Sequence, residues 1–104
     1  MTAPTPAEVA AVLRATATRL ETKGWCQGRS GPEEGPNCVS KAVSIVAGYE
    51  TIVNQVAWRM FRAQIGGGSG SMWQDAPGRT ATEVIATLRA CADAVERGDL
   101  AVSG

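Results

Sequence analysis

Thr80-Ala81-Thr82-Glu83-Val84-Ile85-Ala86-Thr87-Leu88-Arg89-Ala90-Cys91-Ala92-Asp93-Ala94-Val95-Glu96-Arg97-Gly98 is the stretch that decides the fold. A threonine followed three residues later by a glutamate can satisfy two orphan amides at once, so Thr80 and Glu83 read as a capping box. Val84, Leu88, Cys91 and Val95 then recur at helical spacing with Ile85 and Ala92 beside them, which gives the segment one apolar stripe. Gly98 supplies the residue that most readily leaves a helix in a left-handed conformation. The prediction is a helix over residues 81–97.

Seventy-five residues earlier the same signals recur in Thr5-Pro6-Ala7-Glu8. Proline suits the first helical position, where no amide hydrogen is needed. Val9, Val12, Leu13, Ala17 and Leu20 form the stripe, and Gly24 is placed to end a helix over residues 6–23 in a left-handed conformation. Offsetting Thr5–Glu21 by seventy-five onto Thr80–Glu96 gives nine identities in seventeen. Two alanine-rich helices with similar caps account for that without common ancestry. A pseudo-symmetric packed pair is the sharper alternative, and on either view both helices belong to the core.

The chain between them divides into two loops and two further helices. Gly24, Gly28, Gly31, Pro32, Gly35 and Pro36 exclude a regular element up to Asn37, which is suited to cap a short helix over residues 38–47. A third helix is expected over residues 50–65. Its apolar residues, from Tyr49, Ile52 and Val53 to Trp58, Phe61 and Ile65, cover an arc of roughly 240°. So wide an arc belongs to a central helix or to one shared with a partner. Gly66-Gly67-Gly68-Ser69-Gly70-Ser71 reads as a flexible connector over 66–71; a helix precedes it, so it lacks the preceding strand of a phosphate-binding loop. The expected architecture is an all-α compact bundle of about four helices with two long Gly/Pro loops. It forms a single helical domain over residues 1–104, with residues 1–4 and 99–104 frayed.

Composition narrows the functions. Ten basic and ten acidic residues cancel, without the basic stripe of a nucleic-acid binder. No apolar run is long enough to span a bilayer, and the N-terminus lacks the charged and apolar regions of a signal peptide. The expectation is a cytoplasmic protein that uses neither nucleic acid nor membrane. Three cysteines without a secretion signal suggest reduced thiols. A Cys26–Cys38 disulfide is geometrically possible given an oxidant, but nothing in the chain requires it.

The chain contains no histidine, which removes the commonest general base and metal ligand. Cys26 has no evident base to activate it. Cys26 and Cys38 lack the paired C-x-x-C spacing of a zinc site. No catalytic residue, metal or cofactor is expected. Ala76-Pro77-Gly78-Arg79 fits a turn that brings Asp75 and Arg79 together. Its structural reading is an ion pair that locks the turn. Its functional reading is an anion pocket in which Trp25, Trp73, Asp75 and Arg79 meet a ligand near a helix N-terminus.

The pattern Gly-Trp-Cys-Gln-Gly at residues 24–28, Cys38 opening a short helix, and Trp73-Gln74-Asp75-Ala76-Pro77-Gly78-Arg79-Thr80-Ala81-Thr82-Glu83-Val84-Ile85 resembles a family of small uncharacterised proteins from actinobacteria and their bacteriophages. The resemblance covers residues 5–96 and implies origin and architecture without an activity. The family usually has asparagine where this chain has Gln74, a change expected to weaken a capping or turn contact.

Three functions follow as expectations. The first is a non-enzymatic protein-interaction module, phage-encoded, acting on a host protein in the cytoplasm or in the virion. Its surface would be Trp58, Phe61, Arg62 and Ile65, and its partner another protein or a second copy. The second is a small-ligand or nucleotide-binding module at Trp25, Trp73 and Arg79. The third is a thiol-dependent enzyme at Cys26.

Overall fold

The computed structural model describes residues 3–102. The frayed ends expected at residues 1, 2, 103 and 104 lie outside the described residues. Five helices follow one another: α1 (Pro6–Lys23), α2 (Val39–Ala47), α3 (Ile52–Gln64), α4 (Gly70–Gln74) and α5 (Ala81–Arg97).

The bounds of α1 and α5 agree with their sequence signals. At α1 both halves of the capping box form: Thr5 Oγ1 accepts from the Glu8 amide at 3.1 Å, and Glu8 Oε1 from the Thr5 amide at 3.0 Å. At α5 only half of it forms. Thr80 Oγ1 accepts from the Glu83 amide, but the Glu83 carboxylate turns to Arg79 Nη1 at 2.7 Å. A charged donor outcompetes a backbone amide for the same oxygen. Gly98 takes the left-handed conformation expected of it, whereas Gly24 combines a φ of 99° with an extended ψ of 158°. The chain therefore leaves α1 in an extended conformation, and Trp25 forms an isolated parallel bridge with Asn37.

The two similar helices pack along each other. α2 and α3 lie against α1, and α3 also meets α5. Val9, Leu13, Ala17 and Leu20 of α1 close on Val84, Leu88, Cys91 and Val95 of α5 to make the centre of the core. Each fully buried Leu or Val of this size contributes on the order of 1.5–3 kcal/mol. At the seam Arg14 binds both Asp93 and Glu96, and Arg89 binds both carboxylate oxygens of Glu21. These exposed pairs fix the helices' register more than their stability.

Elsewhere four expectations change. α2 begins one residue later than expected, with Cys38 rather than Asn37 at the cap and no side chain of its own closing the first turn. α3 begins two residues later and ends one earlier. Thr51 caps it, while the Asn54 amide occupies the Gly48 and Tyr49 carbonyls at the α2–α3 corner. The glycine-serine connector is shorter than 66–71: Ser69 caps α4, and Gly70 is buried in its first turn. The absence of a side chain at Gly70 is required, since a Cβ there would lie 2.5 Å from Trp58 Cζ2. The segment after α5 is docked rather than frayed as far as Val102. Asp99 donates to the Ala94 carbonyl, Leu100 and Val102 pack on the core, and Arg59 Nη2 holds the Val102 carbonyl at 2.6 Å.

Candidate functional site

The wide apolar arc of α3 is largely satisfied within the chain. Phe61 is fully buried, Trp58 stacks on it with centroids 5.5 Å apart, and Trp73 of α4 meets it edge-on at 5.5 Å. Gly70 lies against Trp58. The expected interaction surface is thereby corrected: Phe61 is core, Trp58 is covered on one side by α4, and exposed Arg62 donates to the Gly68 carbonyl to hold the connector. Ile65 lines a shallow surface hollow of about 440 Å³ with Trp73, Ala86 and Ala90.

The expected Asp75–Arg79 pair does not form. The Arg79 guanidinium lies over the Trp73 ring at 3.8 Å, its Nε donates to the Trp73 carbonyl at 2.9 Å, and its Nη1 binds Glu83. Asp75 Oδ1 instead accepts from the Gly28 amide at 2.9 Å and from the Gln74 side chain at 2.6 Å. The four residues of the anticipated anion pocket are therefore divided. Trp73 and Arg79 engage each other, and Trp25 and Asp75 meet around Gln74.

Gln74 is the residue that sequence reasoning missed. It is buried, and each end of its amide is used twice. Oε1 accepts from Trp25 Nε1 at 2.5 Å and from the Val39 amide at 3.0 Å, and Nε2 donates to the Cys26 carbonyl at 3.2 Å and to Asp75. The Val39 amide is one of the orphan donors at the start of α2, so Gln74 caps that helix from thirty-five residues away. Gln74, expected to weaken a capping or turn contact, makes four bonds with its side chain. Gln27 strengthens the junction by donating to the Gln74 and Ala76 carbonyls. Asn37, expected to cap α2, is instead fully buried and pins the loop by donating to the Ser30 and Pro32 carbonyls and accepting from Arg19 Nε. Glu33 is tied down as well. Bonds from Tyr49 and then Lys41 hold its carboxyl below the ordinary value of 4.5. A sequence signal for Gln74 existed only in the amide-bearing residue between Trp73 and Asp75.

Two concavities flank this junction. A polar cleft of about 240 Å³ opens beside it, lined among others by Ser30, Cys38, Ser40, Trp58, Ser71 and Asp75. The larger is a groove of about 710 Å³ between α1 and α5, lined by Leu20 and Trp25 and, along α5, by Ala81, Ile85, Ala86 and Ala90. Glu21, Arg89 and Asp93 are its charged lining residues. Among the described residues no group of acidic, cysteine or histidine side chains could hold a metal ion. The thiols give no sign of activation. Burial raises the Cys26 thiol above its ordinary value of 9.0, and Cys91, wholly buried, is pushed up to about 12. No described helix is long and apolar enough to cross a membrane.

No curated protein and no solved structure matches the chain. A family model does, over residues 4–94, which is most of the chain and includes both capped helices and the Gln74 junction. The chain belongs to a family of unknown function, DUF6197.

Proposed function

We propose that the chain is a non-enzymatic protein-interaction module whose α1/α5 groove receives a short amphipathic helix of a partner protein. The groove itself carries this reading. Ala86 and Ala90 are exposed among its lining residues, so a second helix can approach closely over small side chains, while Ile85 and Trp25 offer larger apolar contacts. Of the charged side chains that line it, Glu21 and Asp93 outnumber Arg89 by one, Glu21 being paired with Arg89 and Asp93 sharing Arg14 with Glu96. The complementary helix has an apolar face and a lysine or arginine beside it. In this reading the protein is an accessory of actinobacterial or phage origin, acting on a host protein in the cytoplasm or within the virion. The equal counts of acidic and basic residues favour it over nucleic-acid binding, and a Cys26 thiol that burial raises rather than lowers favours it over thiol catalysis.

The test is a photo-crosslinking residue at Thr82, an exposed residue of the groove lining, with the attachment point on the partner read by mass spectrometry. A single helical segment captured there, lost in Ala86→Arg and retained in Glu50→Arg, supports the proposal. Ala86 is exposed, so the Ala86→Arg chain should keep its helical circular dichroism. Capture of a second copy of the chain, or equal capture by both variants, overturns it.

The polar cleft favours a second reading, a site for a small polar ligand. Trp58 lines it, so quenching of tryptophan fluorescence by a nucleotide panel, lost in Ser71→Leu, would favour that reading over the groove.

A further inference from the structure

The loop after α1 returns upon itself in a defined register. The Asn37 amide donates to the Gly24 carbonyl at 3.1 Å and the Cys26 amide to the Asn37 carbonyl at 3.0 Å, the two bonds that make the parallel bridge of Trp25 with Asn37. Side chains alternate along extended segments, so residues one step to either side of the bridge share the opposite face. One step before it stand Gly24 and Pro36, and a Cβ on Gly24 would lie 3.1 Å from Pro36 Cβ. One step after it stand Cys26 and Cys38. Paired extended segments run about 4.8 Å apart, within the range of roughly 4.4–6.8 Å that a disulfide's α-carbons span. Both thiols are partly exposed and free. Cys26 Sγ makes only long contacts to the Arg29 and Pro36 carbonyls, at 3.4 and 3.6 Å, and Cys38 Sγ lies 3.5 Å from Ser40 Oγ at the polar cleft. Thiols are weak donors and acceptors, so these contacts oppose rotation little.

We propose that Cys26 and Cys38 are a dithiol pair that a small disulfide, such as oxidised glutathione, converts into an intramolecular disulfide that clamps the loop to the start of α2. Cys38 lines the open cleft and reacts first. Its thiolate attacks one sulfur of the small disulfide, forming a mixed disulfide and expelling one small thiolate. The Cys26 thiolate then attacks the Cys38 sulfur, forming the Cys26–Cys38 bond and expelling the cysteine's bound partner as the second small thiolate. Two protein thiols lose two protons and two electrons, and the small disulfide is reduced to two thiols. Cys91 takes no part, being enclosed in the α1/α5 core.

The experiment uses the full chain incubated with oxidised glutathione, alkylated and cut with trypsin. Cuts after Lys23, Arg29 and Lys41 leave Cys26 and Cys38 on separate peptides, Gly24–Arg29 and Ser30–Lys41, so the bond appears as their linked mass. The expected result is that linked pair, loss of two of the three thiols, and a thermal midpoint raised on the order of 10 °C and restored by reductant. Cys26→Ser and Cys38→Ser each leave a stable glutathione adduct on the other cysteine of the pair. If either fails to fold, the wild-type digest still decides. Glutathione adducts on the wild type without the link, a link between two chains, or three unreacted thiols would overturn the proposal.

Discussion

The α1/α5 half and the junction around Gln74 are stabilised by opposite means. In the first, two seventeen- to eighteen-residue helices share a seam of aliphatic side chains, each contributing a modest amount, and each helix carries its own cap. In the second, one amide makes four hydrogen bonds and joins the Trp25 loop, the start of α2 and α4. Loss of one seam contact is felt along both helices, whereas loss of the hub is felt where the three segments meet.

The largest effect should come from the helical half, because its residues leave cavities. Leu88→Ala removes a fully buried side chain between α1 and α5 and should cost about 3–4 kcal/mol in denaturant melts. A loss below about 1 kcal/mol would show that the seam collapses around the gap.

Gln74→Ala comes next, at about 2–3 kcal/mol, since it strands the Val39 amide and the Trp25 indole as buried donors. Its signature separates it from Leu88→Ala. Hydrogen exchange should accelerate at the first turn of α2 while α5 amides keep their protection. Uniform acceleration along both helices would deny that the junction is a distinct unit.

The smallest effect is electrostatic and spans both regions. Thr5 holds the Glu8 carboxyl below its ordinary value of 4.5, Arg89 does so for Glu21, and Tyr49 with Lys41 for Glu33. Depressed carboxylates stabilise the fold above 4.5, and that contribution is lost as pH falls through their lower folded-state values. Thermal midpoints should therefore hold steady above about pH 5 and decline gradually below it. All three groups are solvent-exposed, so added salt should flatten the decline. A midpoint that rises on acidification would refute the sign.

The same contrast explains what was legible beforehand. Thr5, Glu8, Thr80 and the aliphatic stripes act within a few residues of themselves, so both long helices could be bounded to the residue. Ser69–Gln74 could not. Its glycines spell flexibility locally, and only Trp58, brought over from α3, makes Gly70 the residue that fits a buried turn. Phe61 was correctly seen as apolar, but its cover comes from Trp73, across a segment read as slack. Asp75 and Arg79 were rightly placed in one turn, yet the partners they chose, Gly28 and the Trp73 ring, were set by tertiary packing. Gln74 and Asn37 look like ordinary surface amides until the loop and α2 close over them. The groove was invisible for a related reason, as exposed alanines mark a concavity only once α1 lies beside α5.

The borrowed cap of α2 has a consequence for synthesis on the ribosome. The chain is made from its N-terminus, and α2 is complete well before residue 74 has been added. Until Gln74 leaves the exit tunnel, the Val39 amide has only water for a partner, and α2 remains a nascent, fraying turn. The emergence of one glutamine thus sets the moment at which the middle of the protein can settle.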